Sequence, residues 1–228
     1  MDALAVIWAP VRTLARVAEE RRVLLGFGVV ALYAALGLVG GGLAIFGGLA
    51  QTQFQQPGGQ PPPPGFEDLL AYVGVFSLIL AVLQPFVLWL LSAGLMQLVT
   101  RFFGGTGPFS GMLAVVGVAQ APLVISTLIN IPVVGLQILL GPPDPSSDNP
   151  TVAILGLLSG LLGLAFLTWF AALVVIGAAF ARRVGYGEST GSCAISCAGC
   201  AGLILIVVLV IVVVIVAVVG ATGLGGAS

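Results

Sequence analysis

The sequence has no histidine and no lysine, and only 7% of its 228 residues carry charge. Without histidine, imidazole metal sites and Ser/His or Cys/His nucleophilic catalysis are excluded. Without lysine, the seven cations are all arginine and are balanced by eight acids, which removes the electrostatic footprint of nucleic-acid binding. Cysteine is scarce too, with three residues confined to positions 193–200. What the chain has in abundance is apolar residues, at 59% of the total, a composition far from that of a soluble domain. It therefore reads as an all-α integral membrane protein, with length counted in spans of about 20 residues crossing roughly 30 Å of hydrocarbon.

Residues 1–22 form the one charge-dense region and are expected to be an interfacial amphipathic segment lying on the membrane. Pro10 suits a first helical position. Val11, Leu14 and Val17 recur near helical spacing, Arg12, Arg16, Glu19 and Glu20 fall elsewhere on the wheel, and Trp8 is placed to anchor at the headgroups. A membrane domain follows over residues 23–222, with spans expected at 23–50, 69–99, 111–140, 151–181 and 201–219. The tract at 51–68, with four consecutive prolines, reads as an extended, solvated spacer. Pro85 is expected to kink the second span. Pro122, Asn130 and Pro132 admit either one kinked helix or a re-entrant pair of half-helices for the third segment. Residues 141–150 read as a loop, and so does VGYGESTGS at 184–192.

Charge parity decides between the two readings of the third segment. With five alternating spans, all seven arginines, at 12, 16, 21, 22, 101, 182 and 183, fall on one side. The positive-inside bias makes that side cytoplasmic, with the N-terminus inside and the C-terminus outside. A re-entrant third segment would send Arg182 and Arg183 to the other face.

Candidate sites are few. Gly37 and Gly41 form a small-xxx-small pair, and Gly156, Gly160 and Gly163 share one face of the fourth span, as at close-packed helix interfaces within one chain or in a homo-oligomer. Cys193, Cys197 and Cys200 match the CxxxCxxC spacing of radical-SAM clusters, but that motif needs a loop on a barrel, and here an apolar span follows it. Juxtamembrane S-acylation and simple packing are the remaining readings. No ionisable group falls within the five spans. Gln84, Gln97, Gln120, Asn130 and Gln137 leave a path for a neutral solute as an alternative to polar contacts between helices. No nucleophile stands with a base, so no enzyme and no cofactor are expected.

APVRTLARVAEE before the first span, the turn FFGGTGPFSG, GVAQAP in the third span and GYGESTG before an apolar end together resemble the Yip1 family of five-span membrane proteins. The resemblance extends over about residues 10–219. Gly104, Gly105, Gly117 and Pro122 match the family pattern, while Val118 stands where tyrosine is usual and the Asp-Leu-Tyr-Gly-Pro motif of eukaryotic members is missing. It implies a non-catalytic five-helix scaffold that binds proteins or organises membrane, and the lysine-free, alanine- and glycine-rich composition suits a bacterial or archaeal cell membrane. Because every basic residue falls on one side, the face expected to bind lipid or a cytoplasmic protein partner carries Arg12, Arg16, Arg101, Arg182 and Arg183. Recruitment of Rab GTPases, the eukaryotic role, is not carried over.

Overall fold

The structure is a computed structural model that describes residues 2–47, 66–140 and 150–223. Among these residues every regular element is a helix. We number them α1 (Asp2–Trp8), α2 (Pro10–Glu20), α3 (Val23–Phe46), α4 (Phe66–Phe102), α5 (Phe109–Ala119), α6 (Ala121–Leu140), α7 (Pro150–Arg182) and α8 (Tyr186–Gly223). Four stretches among the described residues are long and apolar enough to cross a membrane: Val23–Phe46, Gly74–Phe102, Phe109–Leu140 and Ile154–Arg182. The proline tract at 51–65 and the loop at 141–149 lie outside the described residues.

Close approaches fix the direction of each helix. Phe27 of α3 stacks obliquely on Phe86 and Trp89 of α4, with ring centroids 5.5 and 6.3 Å apart, while a Cβ on Gly74 would meet Ile45 at 3.6 Å, so α3 and α4 are antiparallel. Gly26 lies against Ala114 and Gly117 of α5, and Gly40 against Ile131 of α6. The third segment therefore climbs beside α3 along most of its length as one crossing. The re-entrant alternative does not occur, although the segment is two helices rather than one. The break falls at Gln120, where Pro122 has no N–H to donate and the Gln120 carbonyl accepts from Leu123 and Val124 at 2.9 and 3.2 Å. Pro85 and Pro132, in contrast, sit inside α4 and α6, which run on through them.

Two expectations are corrected. Residues 1–22 were expected to lie flat on a membrane; instead the chain bends at Ala9, and α2 stands along the bundle. Its Ala18 lies level with Gly111 and its Leu14 level with Gly177, which itself meets Val115, so α2 follows α5 and α7 in register. The apolar stripe expected to meet lipid is thus buried on protein, with Leu14 and Val17 enclosed, while Arg12, Arg16, Glu19 and Glu20 face outward. Trp8 keeps the exposure expected of an anchor, at 88%.

The second correction concerns the loop expected over 184–192, of which residues 186–192 begin α8 instead. Glu188 caps the helix by accepting from the Gly185 N–H at 2.8 Å, as the third residue of a capping box does. Ser189 Oγ donates to the Val175 carbonyl at 2.6 Å, two turns back from the end of α7, and Cys200 Sγ lies 3.9 Å from Ser92 Oγ, two turns back from Thr100 on α4. The intervening residues advance the helix by about 16 Å with little change in depth. The first four turns of α8 therefore cross α7 and α4 about two to three turns in from their ends.

The core sits at one end of the bundle. Val6, Leu14, Val17, Val30, Met96, Met112, Leu173 and Ala178 are all enclosed there, and Trp89 Nε1 donates to the Leu113 carbonyl at 2.8 Å. Toward the far end, Leu157, Leu161, Leu164 and Leu167 of α7 and Leu136 and Leu139 of α6 are exposed.

Candidate functional site

The packed end is also where the arginines gather. Arg12 and Arg16 are on α2, Arg21 and Arg22 join α2 to α3, Arg101 ends α4, and Arg182 and Arg183 end α7. The turn that follows Arg101 locks these elements together. Thr100 carries its start, its carbonyl accepting from the Phe103 and Gly105 N–H groups at 3.2 and 2.9 Å, and Gly104 passes through φ +79°, a region open to glycine but costly for other residues. Gly107 then runs so close under α7 that a Cβ there would overlap the Ala181 carbonyl.

Arg182 is the clasp. Only 2% exposed, it donates from Nε to Thr100 Oγ1 at 3.0 Å and from Nη2 to the Gly105 carbonyl, while its own carbonyl accepts from the Thr106 N–H at 3.2 Å. Thr100 Oγ1 in turn donates to the Met96 carbonyl at 2.6 Å. Arg101 is close enough for its charge to act on Arg182. Arg12, Arg16, Arg101 and Arg183 are exposed. Of the five arginines expected to form one open face, Arg182 thus serves inside it as a structural pin. The Arg22 guanidinium pairs with Glu20. Phe102, Phe103 and Phe109 are exposed beside the turn, Phe102 at 83%.

The family-motif positions each have a physical role. Gly104 and Gly105 form the turn; a Cβ on Gly105 would come within 2.9 Å of the Thr100 carbonyl. Gly117 lies backbone to backbone on Gly26, and Pro122 is buried at the start of α6. The helix-packing glycines behave differently. Gly41 makes an ordinary contact with Leu78, whereas a Cβ on Gly37, Gly156, Gly160 or Gly163 would meet nothing within 4 Å. Close packing falls instead on Gly26, Gly107, Gly117 and Gly177, which sit at no regular small-residue spacing and could be found only from the tertiary contacts.

The cysteines share the first half of α8 without converging. Cys193 is buried with its Sγ 4.0 Å from that of exposed Cys197, and Cys200 turns toward Ser92. Burial, reinforced by the neighbouring Cys197, pushes the Cys193 thiol up to about 12. Among the described residues no three Cys, Asp or Glu side chains are arranged to hold a metal ion. The uncharged polar residues are also dispersed. Asn130 Nδ2 donates to the Ser126 carbonyl at 3.0 Å and Gln84 is exposed, while the Oε1 atoms of Gln97 and Gln120 are buried without a partner.

A curated protein of Methanocaldococcus jannaschii, itself uncharacterised, is 34% identical over 71 residues, which are 31% of this chain and 50% of that protein. The match thus spans half the length of that relative. No solved structure matches. The family model of the Yip1 domain matches residues 4–218, nearly the whole chain, whose apolar helices mark a multi-pass membrane protein. The chain belongs to the Yip1 domain family.

Proposed function

We propose that this protein is a non-enzymatic membrane scaffold of a prokaryotic cell membrane. It has five spans, the fifth being the apolar part of α8, and a cytoplasmic face at the arginine end that receives a partner or lipid. The observation that carries this reading is one packed unit in which Arg182 ties the turn after α4 to the end of α7 while α2 lies against α5 and α7 through Ala18 at Gly111 and Leu14 at Gly177. A rigid face bearing exposed arginines and no nucleophile–base pair is suited to binding rather than to turnover. The positive-inside bias supports a cytoplasmic assignment for that end.

The test uses exposed arginines only, because replacing Arg182 would unpin the turn. A photo-crosslinker at exposed Thr106 is expected to capture a partner in cells, and Arg12→Gln, Arg16→Gln, Arg101→Gln and Arg183→Gln together are expected to abolish capture without changing insertion. Capture that survives the four substitutions refutes the reading. Span count is checked by single cysteines at Gln60, Ser110, Ser147 and Ser228, of which 60, 147 and 228 are expected to be labelled from outside intact cells.

A second reading, a path for a small neutral solute, draws on the unpartnered buried oxygens of Gln97 and Gln120. It predicts liposome flux that falls on Gln97→Leu or Gln120→Leu.

A further inference from the structure

The positive-inside bias asks only that arginines lie on one side of a membrane; it does not ask that they be packed together. Here Arg182 is enclosed beside Arg101, both hydrogen-bond partners of its guanidinium are uncharged, and no carboxylate pairs with Arg101, Arg182 or Arg183 among the described residues. A buried cation held near a like charge is stabilised by an anion at the mouth of the site. Arg183 adds a further cation at the same end of α7 and does so at a cost. It adopts φ +58°, a conformation that glycine takes freely and arginine does not.

The neighbours of these arginines indicate which anion. Phe102 and Phe103 follow Arg101 directly and are exposed, and Phe109 closes the same turn. Guanidinium groups pair with phosphate oxygens through two parallel hydrogen bonds, and aromatic side chains next to them suit the boundary between headgroups and acyl chains. A soluble phosphate ester would use the arginines and leave the phenylalanines in water. We propose that Arg101 and Arg183, backed by the field of Arg182, hold the phosphate of an anionic phospholipid whose acyl chains lie against Phe102 and Phe103. The proposal rests on the scaffold reading above and names the ligand of its arginine end.

The test is lipid titration of the full-length protein in neutral detergent, read by native mass spectrometry, with phosphatidylglycerol and phosphatidylcholine of identical chains. At about fivefold in affinity for each surface arginine, the wild type is expected to prefer phosphatidylglycerol by about thirtyfold. Arg101→Gln with Arg183→Gln is expected to remove that preference, while Phe102→Ala is expected to weaken both lipids alike. Equal binding of the two lipids by the wild type, or a preference that survives the double substitution, overturns the proposal. So does displacement of phosphatidylglycerol by an equal concentration of glycerol 3-phosphate, which would identify a soluble ester as the ligand. Partner capture at Thr106 that depends on arginine, together with equal lipid binding, would defeat the lipid assignment and leave the scaffold standing. A lipid preference without any arginine-dependent capture would do the reverse.

Discussion

The contact between Gly26 and Gly117 makes a sharp prediction. A Cβ added at Gly117 would lie 2.6 Å from the Gly26 Cα, 2.8 Å from its carbonyl carbon and 2.9 Å from its oxygen, all backbone atoms that no rotamer change can move. Carbon atoms pack at about 3.5–4.0 Å, so α3 and α5 must part by roughly 1 Å. A gap of that size forfeits a quarter to a half of the dispersion attraction of atoms lining the interface, which here include Val29, Val30, Ala114 and Val118. Overpacking of this kind costs about 1–3 kcal/mol. Gly28→Ala, two residues along α3 from Gly26, is the matched control, because its Cβ would meet nothing within 4 Å and gains up to about 1 kcal/mol of helix propensity. Gly117, also inside a helix, gains the same propensity, so Gly117→Ala is expected to be less stable than Gly28→Ala by about 1–3 kcal/mol, a separation of roughly 6 °C in melting temperature for a chain of this length. Melting in detergent, followed by maleimide labelling of Cys193 with Cys197 and Cys200 replaced, measures this directly. Equal melting temperatures would show that the two backbones do not touch.

Three further outcomes follow from the same geometry. Arg21→Gly and Arg183→Gly relieve left-handed backbone at φ +50° and +58° and should each stabilise the protein by about 1 kcal/mol in the same melting assay, with Arg183→Gly also lowering the preference for anionic lipid. In the folded wild type, maleimide should modify exposed Cys197 and spare Cys193 well above pH 9, because a thiol held protonated up to about pH 12 supplies almost no thiolate there; mass mapping of the labelled peptide reads this, and early labelling of Cys193 contradicts its burial. Gly156→Ala, Gly160→Ala and Gly163→Ala together should leave the chain as stable or more stable, since their Cβ atoms have open space, and a fall in stability or a smaller particle on size exclusion would mean that a second copy packs there.

Much of this architecture was legible from composition and charge alone. Apolar runs with few charges are long only where a bilayer is the solvent, so five spans are expected from the sequence, of which four coincide with stretches long and apolar enough to cross among the described residues, and the arginine pattern alone argues that the third segment crosses once. Neither pattern reports what a helix packs against. The periodicity of residues 10–20 identifies one apolar face equally well whether it meets lipid or protein, and only the tertiary structure, with Leu14 at Gly177 and Val17 enclosed in the core, shows that it meets protein. Residues 184–192 misled for a related reason. Their glycines and serines have weak helix propensity, but Glu188 caps the first turn and Ser189 is hydrogen-bonded to α7, so tertiary contacts outweigh local preference. The turn after Arg101 was visible as a motif, yet nothing in its spacing shows that Arg182, 81 residues away, pins it.

The uneven packing of the bundle has one physical origin. In hydrocarbon a leucine gains nothing by leaving acyl chains for another leucine, so hydrophobic burial gives no force for closing the end where Leu157, Leu161 and Leu164 stand exposed. Helices associate there only by close backbone approach or by hydrogen bonds, and both kinds of contact concentrate at the arginine end. Gly26, Gly107, Gly117 and Gly177 let the backbones approach, and Trp89, Thr100, Arg182 and Ser189 tie α4, α5, α7 and α8 together. That end also carries α2, whose apolar face has a reason to bury where water begins and none deeper in the bilayer. The same contacts that hold the fold together therefore hold the exposed arginines in fixed positions. Loosening Gly107 or Thr100 should disturb the lipid binding proposed for Arg101 and Arg183 before it disturbs the long helices themselves.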